Sequence, residues 1–424
     1  MSISSRLFKL SLLLLGVFLM AAAPVQGDPT LEGLIAEALQ NSPEIKASEA
    51  GIEAARLRIT QAGSLPDPMI MAGYQNEGFD SYTYGEMEGS QWMFSASQQF
   101  LFPGKRSLKE EMTRRDAESL EAMHEQLKLK TAARVRELYY DLFLAHKNID
   151  LLKEKRDLIA RMESMVLARY AAGTAMQQDV IMTQTEKYML LEKVEMGRQK
   201  IQSLEAMLKA VIGRHQGDQV PKPTEPVYQS FSPDINEVIK LAMQNSPELK
   251  SRHKMLEAAN AKVAMARKEY YPDFALSGGY YNRSGDFPDM WAATVTFNIP
   301  LYFQSKQKPA EMEAKAGVNQ ADRELAATQL MIEAALRDNY TMLRSAERLM
   351  ELYKEGILPK TRQDIEQTLT GYSTGRGETV TILSRLKTLL DYELLYWGQL
   401  VEREKAIARL QAIATGLNGK GEKQ

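Results

Sequence analysis

The sequence predicts a mainly α-helical protein with a small β part, organised as a duplicated helix–hairpin–helix repeat. The first observation behind this is self-similarity: Gln40-Asn41-Ser42-Pro43-Glu44 returns as Gln244-Asn245-Ser246-Pro247-Glu248, and the same succession of segments follows each copy. A period of about 200 residues marks a duplicated domain rather than a short solenoid unit. The second is a pair of stretches with helical periodicity, each about 65 residues, which at 1.5 Å per residue would run roughly 100 Å. No ordinary globular core accommodates that length. The third is two pairs of segments in which apolar and polar residues alternate with period two, the mark of strands with one apolar and one polar face.

The chain opens on a secretory signal peptide, residues 1–27. Arg6 and Lys9 form its basic start, Leu10 to Ala23 its apolar core, and Val25 and Gly27 the small residues before an expected cleavage ahead of Asp28. That apolar core is shorter than the ~20 residues of a membrane anchor. The sequence holds no cysteine, so neither disulfides nor a lipidated N-terminal cysteine can hold the exported chain. Past the signal no apolar run is long enough for a spanning helix, so entry into a membrane requires strands in a closed barrel. With 53 basic and 55 acidic side chains the charge is nearly balanced, which removes the electrostatic case for nucleic acid.

The first repeat is placed at 28–220. A helix from Leu31 to Ala62 is expected to restart at Ser42, whose side chain would accept from free amides while Pro43 takes the first helical position. Pro66-Asp67-Pro68 leads into a strand at 69–75, and a second strand is expected at 92–102, where Trp92, Phe94, Ala96 and Phe100 alternate with Met93, Ser95, Ser97 and Gln99. The long helix 105–170 contains neither proline nor glycine. A Tyr170-Ala171-Ala172-Gly173-Thr174 break precedes a helix from Met176 to Ile212. Pro221, Pro223, Pro226 and Pro233 punctuate the passage to Asp234 and mark a link at 221–234, placed around the middle of the long body.

The second repeat, 235–416, repeats the order: a helix from Ile235 to Lys268, strands at 274–282 and 291–301, a long helix 306–370 and a helix from Glu378 to Thr415. Gly317, Gly356 and Pro359 should weaken or bend its long helix. Its hairpin exit, Asn298-Ile299-Pro300-Leu301-Tyr302-Phe303-Gln304-Ser305-Lys306, lacks the Pro103-Gly104 of the first copy, so the halves are not interchangeable. Residues 417–424 read as a frayed polar tail. In each repeat the two shorter helices, stacked end to end, match the length of one long helix, giving two uninterrupted and two composite helices per chain. Four strands cannot close a barrel of useful bore, so the chain supplies a fraction of a larger one and oligomerisation is implied.

The signal peptide, the duplicated Asn-Ser-Pro-Glu helix start, the Leu65-Pro66-Asp67 and Tyr271-Pro272-Asp273 strand entries, the Gln99-Phe100-Leu101-Phe102-Pro103-Gly104-Lys105 exit and the Tyr170 to Thr174 break resemble the TolC-like outer membrane efflux family. Within it the chain looks closest to the outer-membrane components of heavy-metal and related resistance-nodulation-division pumps. The resemblance spans nearly the whole mature chain. It implies a homotrimer in the outer membrane of a Gram-negative-type cell, where four strands from each subunit close a 12-stranded barrel and the helices continue it as a periplasmic tunnel. The implied function is passive conduction of substrates from periplasm to exterior as the channel of a tripartite efflux pump. The implied partners are a periplasmic adaptor, an inner-membrane transporter and outer-membrane lipid.

The same resemblance places the gate and the adaptor contact at the turns Tyr170 to Ala175 and Tyr372 to Gly377, which join long helices to returning ones. The candidate aperture residues are Tyr170, Gly173, Thr174, Asp179, Tyr372, Gly375, Arg376, Gly377 and Glu378, with Thr379 weaker. Gly173 can end a helix in the left-handed conformation, and Gly371, Gly375 and Gly377 give the second turn freedom. Three-fold symmetry would bring three copies of Asp179, Arg376 or Glu378 near the axis. The alternative, that Asp179 and Glu378 only favour helix starts through the dipole, stays open.

Other conspicuous residues point elsewhere. Met162, Met165, Met176, Met182 and Met189 have the spacing of helix-seam filler, although thioethers also suit soft metals. His124, His146, His215 and His253 lack paired ligand spacing, so no metal site and no cofactor is expected. Glu77, Asp80, Glu86, Glu88, Asp286 and Asp289 belong to the loops between paired strands, which would face outside the cell. Gly104-Lys105-Arg106 and Gly375-Arg376-Gly377 lack the full phosphate-loop pattern, and no nucleophile elbow or His-Glu-x-x-His occurs. The chain is therefore read as no enzyme. Alternatives are a type I protein-secretion conduit, a periplasmic coiled-coil scaffold, and a secreted hydrolase whose catalytic constellation the sequence does not supply.

Overall fold

The computed structural model describes residues 29–374 and 377–415; the expected signal peptide, Gly375, Arg376 and the polar tail lie outside the described residues. The described chain forms α1 (Pro29–Asn41), α2 (Pro43–Gly63), β1 (Met69–Gln75), β2 (Gln91–Phe100), α3 (Lys105–Ala171) and α4 (Gln177–Ile212). It continues with α5 (Ile235–Asn245), α6 (Pro247–Lys268), β3 (Asp273–Asn282), β4 (Met290–Asn298), α7 (Gln307–Glu351), α8 (Leu358–Ser373) and α9 (Thr379–Ile413).

Helix α3 runs 67 residues without interruption, about 100 Å at the standard rise. Its limits are set by glycine: Gly104 precedes it at φ 91° and Gly173 follows at φ 73°, in a region where side chains with a Cβ are strained. The second long helix, expected over 306–370 with a weakening or bend at Gly317, Gly356 and Pro359, carries one of these. It is broken once, by a π-helical turn at Leu352–Ile357 between α7 and α8. Gly317 passes through α7 without effect, whereas the break falls on Gly356 and just before Pro359. Proline has no amide hydrogen and its ring displaces the carbonyl four residues back, so the widened turn relieves a clash that α-geometry would impose.

The helix restarts at Ser42 and Ser246 are present, but neither serine makes the side-chain cap that was expected. Each is buried, its amide donates to the helix before (Ala38 and Ala242 oxygens) and its carbonyl accepts from the helix after (Lys46 and Lys250 amides). The break comes from Pro43 and Pro247, which push the preceding residue out of the α region.

The four strands make one antiparallel sheet in the order β1-β2-β3-β4, so the two hairpins join through β2 and β3 although all of α3 to α6 lies between them in sequence. Both outgoing strands end earlier than expected. The Phe102 amide is taken by Asp273 Oδ1 at 2.7 Å instead of a ladder partner, and β4 stops at Asn298 ahead of Pro300, which has no donor. Cross-strand pairing puts Ile70, Ala72, Tyr74, Trp92, Phe94, Ala96, Leu276, Tyr280, Trp291, Ala293, Val295 and Phe297 on one face. Ser95, Ser97, Gln99, Ser277, Thr294 and Thr296 lie on the other.

Three apolar cores follow one another along the helices. One joins α1 to α3 and α4 through Leu34, Leu138, Leu142, Leu208 and Ile212. Its counterpart joins α5 to α7 and α9 through Val238, Leu336, Leu343 and Leu410. The third, beyond them, ties α3 and α4 to α8 and α9 through Met162, Val166, Leu190, Leu358, Ile365, Ile382 and Leu386. Each fully buried Leu or Ile there is worth about 1.5–3 kcal/mol over exposure. The passage between repeats is bound across the outside of these cores. Arg214 pairs with Glu37 at 2.7 Å, the Thr224 amide reaches Tyr139 Oη at 3.1 Å, and Arg344 and Arg403 donate to the carbonyls of Phe231 and Gln229.

At the junction of sheet and helices, Lys105 is buried with its Nζ 2.9 Å from Asp273 Oδ1 and 3.1 Å from Tyr271 O. Phe102 stacks on Tyr271 at 4.5 Å beside it. This locks the exit of β2 to the entry of β3.

Candidate functional site

The end of the molecule remote from the sheet is built from two turns. The first closes α3 by short backbone bonds: Gly173 N donates to Tyr170 O at 3.0 Å and Thr174 N to Arg169 O at 2.8 Å. Helix α4 then starts behind Met176, whose amide donates to Asp179 Oδ2 at 3.1 Å. Asp179 therefore serves the free amides of a helix start, as a carboxylate in a first turn does. Tyr170, Gly173 and Thr174 are exposed, and Asp179 is half-buried.

The second turn is held from inside. Tyr372 is buried and its hydroxyl lies 3.3 Å from Thr379 Oγ1, across the turn, at the first residue of α9. Gly377 sits so close to this tyrosine that a Cβ would lie 3.0 Å from the Tyr372 N and Cα. Glu378 stands in extended conformation before α9, exposed, and makes no side-chain cap. Gly375 and Arg376 lie outside the described residues.

A residue that sequence reasoning missed joins the turns. The Arg169 guanidinium covers the Tyr372 ring at 4.6 Å from its centroid, and donates to Tyr372 O at 3.4 Å and to Thr174 O at 3.3 Å. One side chain thus spans the first turn and the second, which are 203 residues apart. A basic residue in the last turn of α3 was the available signal. Above the turns, Lys187 and Glu163 pair at 2.7 Å between α4 and α3, and Arg385 and Asp364 at 3.1 Å between α9 and α8. The Lys187 hydrogen bond holds the Glu163 carboxyl below its usual value. Further up, Glu393 receives Lys155 at 3.1 Å and Arg362 at 3.0 Å, both carboxylate and lysine being buried. Of the methionines, Met162 is core, while Met165, Met176 and Met189 are exposed along this end. His124 is buried against Ser48 at 3.1 Å.

At the opposite end the strand loops are ordered by their own side chains. Asn76 accepts from Tyr74, Thr83 N and Thr83 Oγ1, and Asp289 accepts from Tyr280, Asn282 and the Arg283 amide. Tyr74, Tyr82, Tyr84 and Trp92 cluster there, and Phe100, Phe274 and Phe297 form a second aromatic group at the helix-proximal end of the sheet. Two aromatic bands bracketing an outward apolar face are what a barrel strand presents to the two interfaces of a membrane. No helix among the described residues is long and apolar enough to cross one.

The combination of a sheet that is apolar on one face and polar on the other with a helical body on the order of 100 Å defines an outer-membrane channel component. The chain belongs to the Outer membrane efflux protein family, whose pattern it matches over residues 34–214 and 238–414. It is 20% identical to the cobalt-zinc-cadmium resistance protein CzcC of Cupriavidus metallidurans over 91% of this chain and 90% of that protein. Among solved structures it superposes on CusC with a TM-score of 0.80 at 15% identity, covering 94% of this chain and 96% of that one. On the outer membrane protein VceC of Vibrio cholerae the TM-score is 0.78 at 18% identity, covering 91% and 96%. The protein is thus an outer-membrane efflux channel with a periplasmic helical extension, not an enzyme.

Proposed function

We propose that three copies of this chain close a barrel in the outer membrane and that the turns around Gly173 and Gly377 form the periplasmic aperture and adaptor contact of a tripartite pump. The observation that carries this reading is Arg169, which ties the two turns together and so can hold both in one narrow arrangement. Tyr170, Thr174 and Glu378 are the exposed groups there and are assigned to the adaptor contact or to charged rings at the axis; Asp179 keeps its capping role as well. An inner-membrane transporter supplies the energy. The relative's name, cobalt-zinc-cadmium resistance, favours divalent metal cations as cargo. The chain divides into repeats at 28–220 and 235–416 that act only together.

Single-channel conductance of the detergent-extracted oligomer in a planar bilayer tests the aperture. Wild type should show small discrete openings, and Arg169→Ala, Asp179→Ala and Glu378→Ala should enlarge them. Conductance unchanged in all three variants would retain the channel and remove the gate assignment. Cargo is checked by expressing the chain with its partner pump in a metal-sensitive strain and measuring tolerance to cobalt, zinc and cadmium.

A further inference from the structure

The loops that join the strands at the end remote from the helices, 76–90 and 283–289, are bound to one side of the sheet. Tyr82 stacks on Tyr74 with ring centroids 5.0 Å apart, Tyr84 lies edge-on to Tyr74 at 6.4 Å, and the Tyr84 hydroxyl bonds the Asn282 side chain. Asn76 accepts from the Thr83 amide and hydroxyl, both at 3.0 Å, and donates to Ser81 O at 2.8 Å. The Thr83 hydroxyl also meets that of Ser90. Side chains along a strand alternate between faces. Tyr74 and Asn282 stand on the apolar face by their pairing with and across Trp92, and Asn76 and Ser90 continue the same even-numbered parity. A loop folded across the bore would instead meet odd-numbered residues of the polar face, such as Gln75 and Gln91. The first loop is thus turned outward, over the rim of the apolar face.

The second loop follows it. Asp289 accepts from Tyr280 and, at 3.3 Å, from Asn282, both of that face, and Arg283 Nη1 lies 3.5 Å from Glu88 Oε1 of the first loop. Gly85 and Gly285, at φ 81° and 77°, pack so closely that Gly285 has no room for a Cβ beside the Gly85 carbonyl. The two loops form one unit. It presents Phe79 fully bare, with Tyr82 61% and Met87 48% exposed, although the loop around them is ordered by its own hydrogen bonds. The carboxylates of Asp80, Glu86 and Asp286 are exposed beside these apolar groups.

We propose that the joined loops are a docking surface for lipopolysaccharide of the outer leaflet. Phe79 and Tyr82 lie at the boundary between its acyl chains and its sugars, and the exposed carboxylates share divalent cations with its phosphates. Aromatic rings favour that level of a membrane, and hard cations take oxygen ligands from carboxylate and phosphate alike. Through Tyr74 and Trp92 the surface is continuous with the apolar face of the sheet, which meets the lipid. A zwitterionic phospholipid, whose phosphate is offset by its own ammonium, offers no such bridge. The inference rests on the outer-membrane placement and is independent of the aperture assignment.

The chain has no cysteine, so Phe79→Cys can carry a single environment-sensitive fluorophore, with Met87→Cys as a second position. Labelled full-length oligomer, shown to conduct, is reconstituted with magnesium into phosphatidylcholine vesicles with and without lipopolysaccharide. Emission at both positions should shift to the blue and brighten only where lipopolysaccharide is present. The same fluorophore at Gln75→Cys, on the polar face, should not respond. Unlabelled Phe79→Ser with Tyr82→Ser should retain less lipopolysaccharide through purification than wild type, at unchanged single-channel conductance. An equal shift in both vesicle types overturns lipopolysaccharide as the occupant. No shift in either overturns the docking surface, and a larger conductance in the serine variant shows a loop lying over the bore and overturns it too. These three results leave the channel intact, whereas a wild-type oligomer that never conducts overturns the channel reading itself.

Discussion

Lys105 shows how one side chain can hold two repeats together. Its side chain is 2% exposed, and its ammonium lies 2.9 Å from the carboxylate of Asp273, whose side chain is 14% exposed. Removing Lys105 leaves the mostly buried Asp273 carboxylate with only the Phe102 amide to answer it, which costs about 3 kcal/mol. Lys105→Ala should therefore lower the temperature at which the extracted oligomer dissociates, whereas Lys308→Ala, an exposed lysine after the equivalent exit, should leave it unchanged. Heat-modifiability on gels reads both. His146 of α3 is a half-buried titratable position. Burial, with Lys222 nearby, holds its imidazole below the usual value of 6.5, while Glu205 and Asp150 act the other way. The fold thus favours the neutral ring. Its contribution is complete above pH 6.5 and declines as pH falls through that value toward the lower folded-state pKa. Thermal stability followed to acid pH should fall less steeply in His146→Gln.

At the scale of elements, the π turn between α7 and α8 sets the angular phase of everything beyond it. Leu358, Ile365 and Tyr372 of α8 all point into the core shared with α9. Because a π turn already absorbs one extra residue, inserting an alanine after Gly356 would rotate α8 by about 100°, one residue of an α-helix, and turn those three side chains out of that core. The expected result is an intact sheet and upper body with a tip that trypsin cuts rapidly between Lys360 and Arg385, read by mass spectrometry of the fragments. The strands were legible from alternation alone, because period two is local. Their ends were not: where β2 stops depends on Asp273, which lies 171 residues away and captures the Phe102 amide. Likewise the restarts at Ser42 and Ser246 were readable from proline, while their lack of a hydroxyl cap followed from the burial of both serines.

At the scale of the whole molecule, among the described residues no core belongs to the sheet alone, and the tip core draws on α3 and α4 from one half and α8 and α9 from the other. Residues 28–220 expressed alone should consequently give no conducting pore, and their unfolding should lack the cooperative transition of the full chain. A half-chain that inserts and unfolds cooperatively would refute this. In the proposed trimer the apolar faces of β1 to β4 acquire a purpose at this scale, since four strands alone cannot enclose a bore.

The sequence by itself determined the duplication, the two long helical stretches, the four strands with their apolar face and the position of both tip turns, because each is written in local periodicity or in glycine and proline. Only the tertiary structure decided that Arg169 bridges the turns, that Lys105 meets Asp273, that β2 pairs with β3 and that the weakening expected at Gly356 and Pro359 takes the form of a π turn. Those depend on groups more than a hundred residues apart arriving at one place, or on which face of a helix meets its neighbour, and neither is encoded in a window of sequence.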